Sequence, residues 1–508
     1  MSEKKKQTFL DGIWSSIIWT SLDRLAALFK HAYIASILGL TPEVDVFYIT
    51  VSILTISLFS WGKIFEIIAL PRLVDIISQG KTIEAAQFSS DLFGFSVICS
   101  LALGVLLNFS WPIVIKIMPG FDPDRAALLS DSIRWIQPIL FLYIPTRMLY
   151  SIVKANRAFY LAYRNECILT FSILIVIATQ PHSDGVLLWS FSIGVFIAFI
   201  TTASSSRQFL TQKIKPFSKE ILKLLPSSIP LLMLFSTQHL YSIIDKGFLS
   251  FFPQGYISVI AYAWTLTMLA PSVIQLDGAF ITIYTEAKRD SSLRTESVNN
   301  LISASITIGV MLSLLLIGFG EDIVAILLER GKFGPEDTVL VSNCLSIFSP
   351  SIIPLLLLNP LGQIFQVEHR IKLIIRRFIL GISANVICCY LFIFELDLGL
   401  NGAALATTIS QWLMVLTALF LLQQIELHVN YRRHFLWLLS LLLLGLLDLE
   451  VAETLRSMHP SHWMMAPSGL LFLLLFALPV ILGRSRESAL ANELLLRSLR
   501  KFSPRKKR

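Results

Sequence analysis

Fourteen apolar segments follow one another along this chain, with no connecting loop longer than about 25 residues. They lie near 12–38, 46–70, 91–115, 134–154, 164–180, 186–205, 222–246, 257–284, 299–327, 338–364, 374–396, 401–424, 433–450 and 465–483. About 20 apolar residues suffice for a helix to cross the hydrocarbon of a bilayer, and in lipid only a helix or a closed barrel satisfies its own backbone. Only 15% of the residues are charged, too few to clothe a globule of 508 residues in polar surface. The pattern therefore predicts an all-α, polytopic membrane protein. The Lys4-Lys5-Lys6 start leads into a segment too long and too charged for a cleaved leader, so the first segment is expected to remain as a span.

Basic residues orient these spans, because Lys and Arg concentrate in cytoplasmic loops. With the N-terminus inside, the cytoplasmic loops carry 19 basic residues, from Arg72 and Lys81 through to Arg432 and Arg433. The middles of the opposite loops hold four: Arg125, Arg330, Lys332 and Arg456. Both tails are basic, which requires an even number of spans and puts both termini in the cytoplasm. The net charge of +8 is thereby explained without a nucleic-acid partner. The five cysteines lack metal-ligand spacing and read as small buried hydrophobes; no metal or cofactor is expected.

An internal repeat sets the expected architecture. Gly120-Phe-Asp-Pro-Asp-Arg125 returns as Lys332-Phe-Gly-Pro-Glu-Asp337, an offset of 212 residues that also superposes Pro138 on Pro350 and Arg164 on Arg376. Six spans per half make this a parallel repeat, with substrate expected between the halves. The predicted organisation is an N-lobe over 1–206, a cytoplasmic linker over 207–223 and a C-lobe over 224–425. Appended spans 13 and 14 follow over 426–484, then a basic tail over 485–508.

Charge at hydrocarbon depth costs roughly 2.5–3.5 kcal/mol per residue on insertion scales, so it marks a pathway, a polar cavity or a buried pair. Asp23, Arg24, Lys30 and His31 sit inside the first span, where a spacing of seven nearly eclipses Asp23 with Lys30 and Arg24 with His31. They form one polar stripe. Lys63 and Glu66 stand three apart in span 2 and can pair on one helix face; Arg147 lies in span 4, Asp245 and Lys246 in span 7, and Asp277 in span 8. Arg and Lys in such places suit an anionic group such as a diphosphate; the other reading is a buried structural ion pair. There is no GxxxxGK[ST], HExxH or GxSxG motif, and no loop large enough for a soluble catalytic domain. The class expected is transport, not enzymatic catalysis.

Several stretches carry a family likeness. Ile37-Leu-Gly-Leu-Thr-Pro-Glu-Val-Asp45-Val-Phe47, Ile243 to Gly255, Leu328-Glu-Arg-Gly-Lys-Phe-Gly-Pro-Glu-Asp337 and Gly399-Leu-Asn-Gly-Ala-Ala-Leu-Ala406 occur in order across spans 1–12. In this the chain resembles the MurJ (MviN) lipid II flippases of the multidrug/oligosaccharidyl-lipid/polysaccharide exporter superfamily. The resemblance implies fourteen helices and a cationic cavity built by spans 1, 2, 7 and 8. It implies transfer of a polyprenyl-diphosphate-linked saccharide, lipid II by default, from inner to outer leaflet of the bacterial inner membrane. The implied partners are that substrate, membrane lipids and cell-wall synthesis proteins, with the chain acting as a monomer. Arg24 falls on the family's first-span arginine, Lys30 on its second and Asp45 on its loop aspartate. Two departures stand out: the paired span-2 arginines are absent around Leu58-Phe59, and Ala263-Trp264-Thr265 replaces an Ala-Asp-Arg. Arg147 and Lys246 are candidates to compensate. The departures leave open an O-antigen or exopolysaccharide unit as cargo, a cation-coupled multidrug exporter, or a non-transporting scaffold.

Overall fold

The computed structural model describes residues 9–458 and 465–482, apart from His182, Gln212, 275–279, 281–283 and 286–289. Among the described residues every regular element is a helix. In chain order these are α1 (Phe9–Leu38), α2 (Pro42–Leu54), α3 (Ser60–Ser78), α4 (Thr82–Lys116), α5 (Pro123–Trp135) and α6 (Gln137–Ala155). Then come α7 (Phe159–Thr179), α8 (Val186–Ser206), the short α9 (Lys219–Leu222), α10 (Ser228–Leu249), α11 (Tyr256–Ile274) and α12 (Ser291–Leu328). The series ends with α13 (Pro335–Phe348), α14 (Ile352–Val367), α15 (Ile371–Tyr390), α16 (Gly399–Leu421), α17 (Tyr431–Met458) and α18 (Met465–Leu482). By length and composition nine described stretches qualify to cross a membrane, or ten if the bent pair α5–α6 is one span. Helices α1, α10, α11 and α18 stand at the four remaining predicted segments.

The second and fourth predicted spans show departures from a plain helix. The second runs over Pro42–Ser78, with a π-helical turn at Thr55–Phe59 joining α2 to α3. There Ser60 Oγ donates to the Thr55 carbonyl at 2.8 Å, and Thr55 and Ser57 donate to Val51 and Ile53. Hydroxyls thus serve backbone acceptors where the helical ladder is widened. The fourth begins with a 50° bend between α5 and α6, next to Pro138, which cannot donate to the ladder.

The chain divides into two compact units, Met1–Ser258 with Arg330–Gly334, and Val259–Glu329 with Pro335–Arg508. In the first, α7 packs against α1 and α8, and α6 against α3, α4 and α8. Cys167 Sγ donates to the Trp19 carbonyl at 2.9 Å, and Trp111 Nε1 to the Leu129 carbonyl at 2.9 Å. The segment 207–223 is not a free tether. Thr211 N–H donates to Ser90 Oγ and Lys215 N–H to Asp91 Oδ1, both at 2.7 Å, while Arg72 reaches Glu220 at 2.9 Å. Hydrogen bonds from Lys223 and Arg72 hold the exposed Glu220 carboxyl below the usual range. That contribution is present at neutral pH and fades as pH falls through the lowered value. In the second unit, Asn299 and His434 knot α12 to the entry of α17 at 2.8 Å, and Trp437 Nε1 donates to Thr307 Oγ1 at 3.0 Å.

The 212-residue offset turns out to be written in the backbone. Pro123 opens α5 and Pro335 opens α13; α6 closes at Ala155 and α14 at Val367; α7 opens at Phe159 and α15 at Ile371. After α6 and α14 the chain takes the left-handed conformation at Arg157 (φ 56°) and His369 (φ 55°). The following amides, Ala158 and Arg370, bond back to the carbonyls of Val153 and Phe365. This is a Schellman cap, in which glycine is the usual residue. Gly185 (φ 66°) and Asp397 (φ 50°), again 212 apart, precede α8 and α16.

The loop 330–334 folds onto the end of α1. Lys332 N–H donates to the Ser36 carbonyl at 2.8 Å, and Gly331 (φ 62°) leaves no room, since a Cβ there would sit 2.1 Å from the Ser36 carbonyl oxygen. Replacing Gly331 by Ala is therefore expected to lower the thermal midpoint of the purified protein by several degrees. His369→Gly relieves an αL strain of about 1 kcal/mol and should raise it. Opposite shifts in one melting series check both.

Candidate functional site

The neighbours of α1 engage two members of its polar stripe directly. The half-buried Asp23 accepts a hydrogen bond from Thr170 Oγ1 of α7 at 2.6 Å. His31 Nδ1 lies 2.9 Å from Tyr48 Oη of α2, and the two rings stack at an interplanar angle of 9°. Each of these side chains thus fastens α1 to a different helix. Among the described residues Arg24, Lys30 and Lys63 make no ion pair; Arg24 and Lys63 are exposed and Lys30 is half-buried.

Lys63, the partner its spacing suggested, makes no salt bridge with Glu66 among the described residues. Its carboxylate takes Arg147 at 2.5 Å and Lys154 at 3.0 Å, and the same two cations take Glu166 at 2.7 and 3.2 Å. Four side chains from α3, α6 and α7 thereby close a neutral ring. The side chains are 8% (Glu66), 16% (Arg147), 12% (Lys154) and 24% (Glu166) exposed, which makes pairing obligatory. The cations also lie over Tyr150 and Tyr163, with ring centroids 5.3 and 5.2 Å away. Gly62 allows the approach, because a Cβ there would come within 3.0 Å of Arg147 Cγ. Lys154 and Glu166 were missed as members of a site. The signal was available: Lys154 is seven residues beyond Arg147, the spacing that exposed the stripe on α1.

The remaining candidates are placed as follows. Asp45 is fully buried and acts as a cap: Oδ2 accepts the Gly255 N–H at 2.7 Å, and Oδ1 accepts the Ser258 N–H at 2.8 Å and its hydroxyl at 2.5 Å. A carboxylate in that position satisfies the orphan amides of the first turn of α11. Lys246, buried, donates to Ser52 Oγ at 2.5 Å and Ser242 Oγ at 2.6 Å. Asp245 is buried beside it. Asp277 lies outside the described residues. Arg147 is thus paired with Glu66 and Glu166, and Lys246 is hydrogen-bonded to two serines.

Known proteins share this chain's sequence pattern and fold. Residues 34–466 match a family described as lipid II flippase MurJ. A probable lipid II flippase MurJ of Buchnera aphidicola (subsp. Acyrthosiphon pisum) is 23% identical over 451 residues, covering 85% of this chain and 88% of the relative. One from Aquifex aeolicus is 23% identical over 404 residues, covering 77% and 78%. Among solved structures, a lipid II flippase MurJ in an inward closed conformation superposes with a TM-score of 0.73 at 21% identity, over 96% of this chain and 99% of that one. An inward-facing multidrug-resistance MATE transporter superposes at 0.63 and 14% identity, over 81% and 98%. At such identities the superpositions speak for the fold alone.

The ring makes its own prediction. Glu66→Gln leaves two buried cations sharing one carboxylate, a loss on the order of 3–5 kcal/mol, and Glu66→Gln combined with Lys154→Met should recover much of it. Thermal unfolding of the single and double variants reads the difference.

Proposed function

This chain belongs to the lipid II flippase MurJ family, and from that premise we propose that it moves a polyprenyl-diphosphate-linked saccharide, lipid II, from the inner to the outer leaflet by alternating access. The observation that carries the reading is the division of charge on the first unit. Glu66 and Glu166 are consumed by Arg147 and Lys154, whereas Arg24, Lys30 and Lys63 make no ion pair among the described residues. A diphosphate is the partner such cations lack: Arg24 offers a bidentate fork and Lys30 a point charge. Asp23 and His31 serve as positioning residues, holding α1 against α7 and α2 so that Arg24 and Lys30 keep their stations. Asp45, Asp245, Lys246 and Asp277 belong to the same reading as supporting polar groups.

The rest of the proposal follows the topology. Fourteen spans, two six-helix halves joined through 207–223, spans 13 and 14 appended and both tails in the cytoplasm agree with the alternation of basic loops. The protein would act as a monomer in the bacterial inner membrane, next to the enzymes that make and use its cargo, and would itself catalyse no covalent step. One observation favours a second cargo. Leu58-Phe59 and Ala263-Trp264-Thr265 remove arginines that the family uses, which suits a lipid-linked glycan other than lipid II, such as an O-antigen or exopolysaccharide unit.

Charge reversal tests the site. Arg24→Glu is expected to abolish flipping at unchanged membrane abundance, read by exposure of labelled cargo on the outer leaflet; full activity would refute the assignment. Depletion tests the cargo: lysis with accumulation of lipid II supports the first reading, and loss of surface glycan alone supports the second.

A further inference from the structure

A second set of cations in the second unit has no partner either, and its setting is different. On α15, Lys372 and Arg376 stand one turn apart at the mouth of a groove of about 820 Å³ between α15 and α16. Both are exposed and, among the described residues, neither makes an ion pair. No carboxylate lines the groove. Two like charges at i and i+4 repel, and Lys372 lies in the first turn of the helix, where the macrodipole also disfavours a cation. An anion between them removes both penalties.

Below the cations the groove is apolar and open. Ile379 is 58% exposed, Leu416 55% and Phe420 62%. From Lys372 to Ser383, the deepest lining residue of α15, is about 16 Å along the helix, close to the depth of one leaflet's hydrocarbon. Cationic at the loop end and greasy for one leaflet: the shape is that of a phospholipid. The repeat supplies a control. At the matching positions of the first unit stand Tyr160 and Arg164, where the guanidinium lies 5.9 Å from the Tyr160 ring and donates to Asn165 Oδ1 at 3.0 Å. There the arginine is satisfied by the protein; on α15 the tyrosine has become Lys372 and that ring is gone.

We propose that the α15–α16 groove holds one anionic phospholipid of the leaflet facing the basic loops. Its phosphate sits between Lys372 and Arg376, and an acyl chain lies along Ile379, Leu416 and Phe420. The site is separate from the α1 cations, and its occupancy is independent of which cargo the protein carries.

Native mass spectrometry of the full-length protein, released from bilayers of equimolar phosphatidylglycerol and phosphatidylcholine, provides the test. The wild-type protein is expected to retain a phosphatidylglycerol adduct in preference to phosphatidylcholine. Lys372→Gln with Arg376→Gln should lower that preference about thirtyfold, roughly fivefold for each basic residue at an anionic surface. The charge-keeping pair Lys372→Arg with Arg376→Lys should retain it, and matched circular dichroism shows that each variant is folded. Equal retention of the two lipids by the wild-type protein, an undiminished adduct in the glutamine pair, or displacement of the adduct by inorganic phosphate would each overturn the proposal.

Discussion

A charge held at hydrocarbon depth must be neutralised, hydrogen-bonded or turned toward water, and the described part of the first unit is arranged around that requirement. Glu66, Arg147, Lys154 and Glu166 neutralise one another across α3, α6 and α7. Asp23 and His31 spend their polar atoms on Thr170 and Tyr48. Lys246 is absorbed by two serines, and Asp45 by two amides and a hydroxyl. Once these are assigned, Arg24, Lys30 and Lys63 are the cations of the first two spans that make no salt bridge among the described residues.

The two halves share a backbone and not a chemistry. Helix ends, the Schellman caps at Arg157 and His369 and the turns at Gly185 and Asp397 recur at the same offset. The ring does not recur: Arg147, Lys154 and Glu166 have Asn359, Gln366 and Phe378 as counterparts. Conversely the Tyr160–Arg164 stack of the first half becomes the bare Lys372–Arg376 pair of the second. A repeated scaffold therefore carries a closed ring of charge in the first half that has no counterpart in the second.

Much of this was legible in the residues, for identifiable reasons. Span-length apolar runs and loop charge report on the bilayer, which acts on every residue alike, so the helical membrane fold and the helix positions followed from them. The repeat was visible only where Phe-x-Pro and a few landmarks survive. The left-handed caps were hidden, because quite different residues (Arg and His, Gly and Asp) occupy them. On α1 the eclipsed spacing found the stripe, but which of its members are satisfied depends on Thr170 and Tyr48, residues of no special pattern on other helices. Glu66 was paired with its neighbour Lys63 because local spacing is all a sequence offers. The structure gives it to Arg147 and Lys154, 81 and 88 residues away.

The account stands on Arg24 and Lys30 as the cations that meet a diphosphate. Equilibrium binding of purified lipid II to the detergent-solubilised protein, compared with the Arg24→Gln/Lys30→Gln variant, addresses this most directly. The account predicts that the variant binds at least tenfold more weakly, on the order of 1.4 kcal/mol or more, and that added salt erodes the wild-type affinity toward the variant's. Equal affinity of the two proteins for lipid II, with the same response to salt, would contradict it.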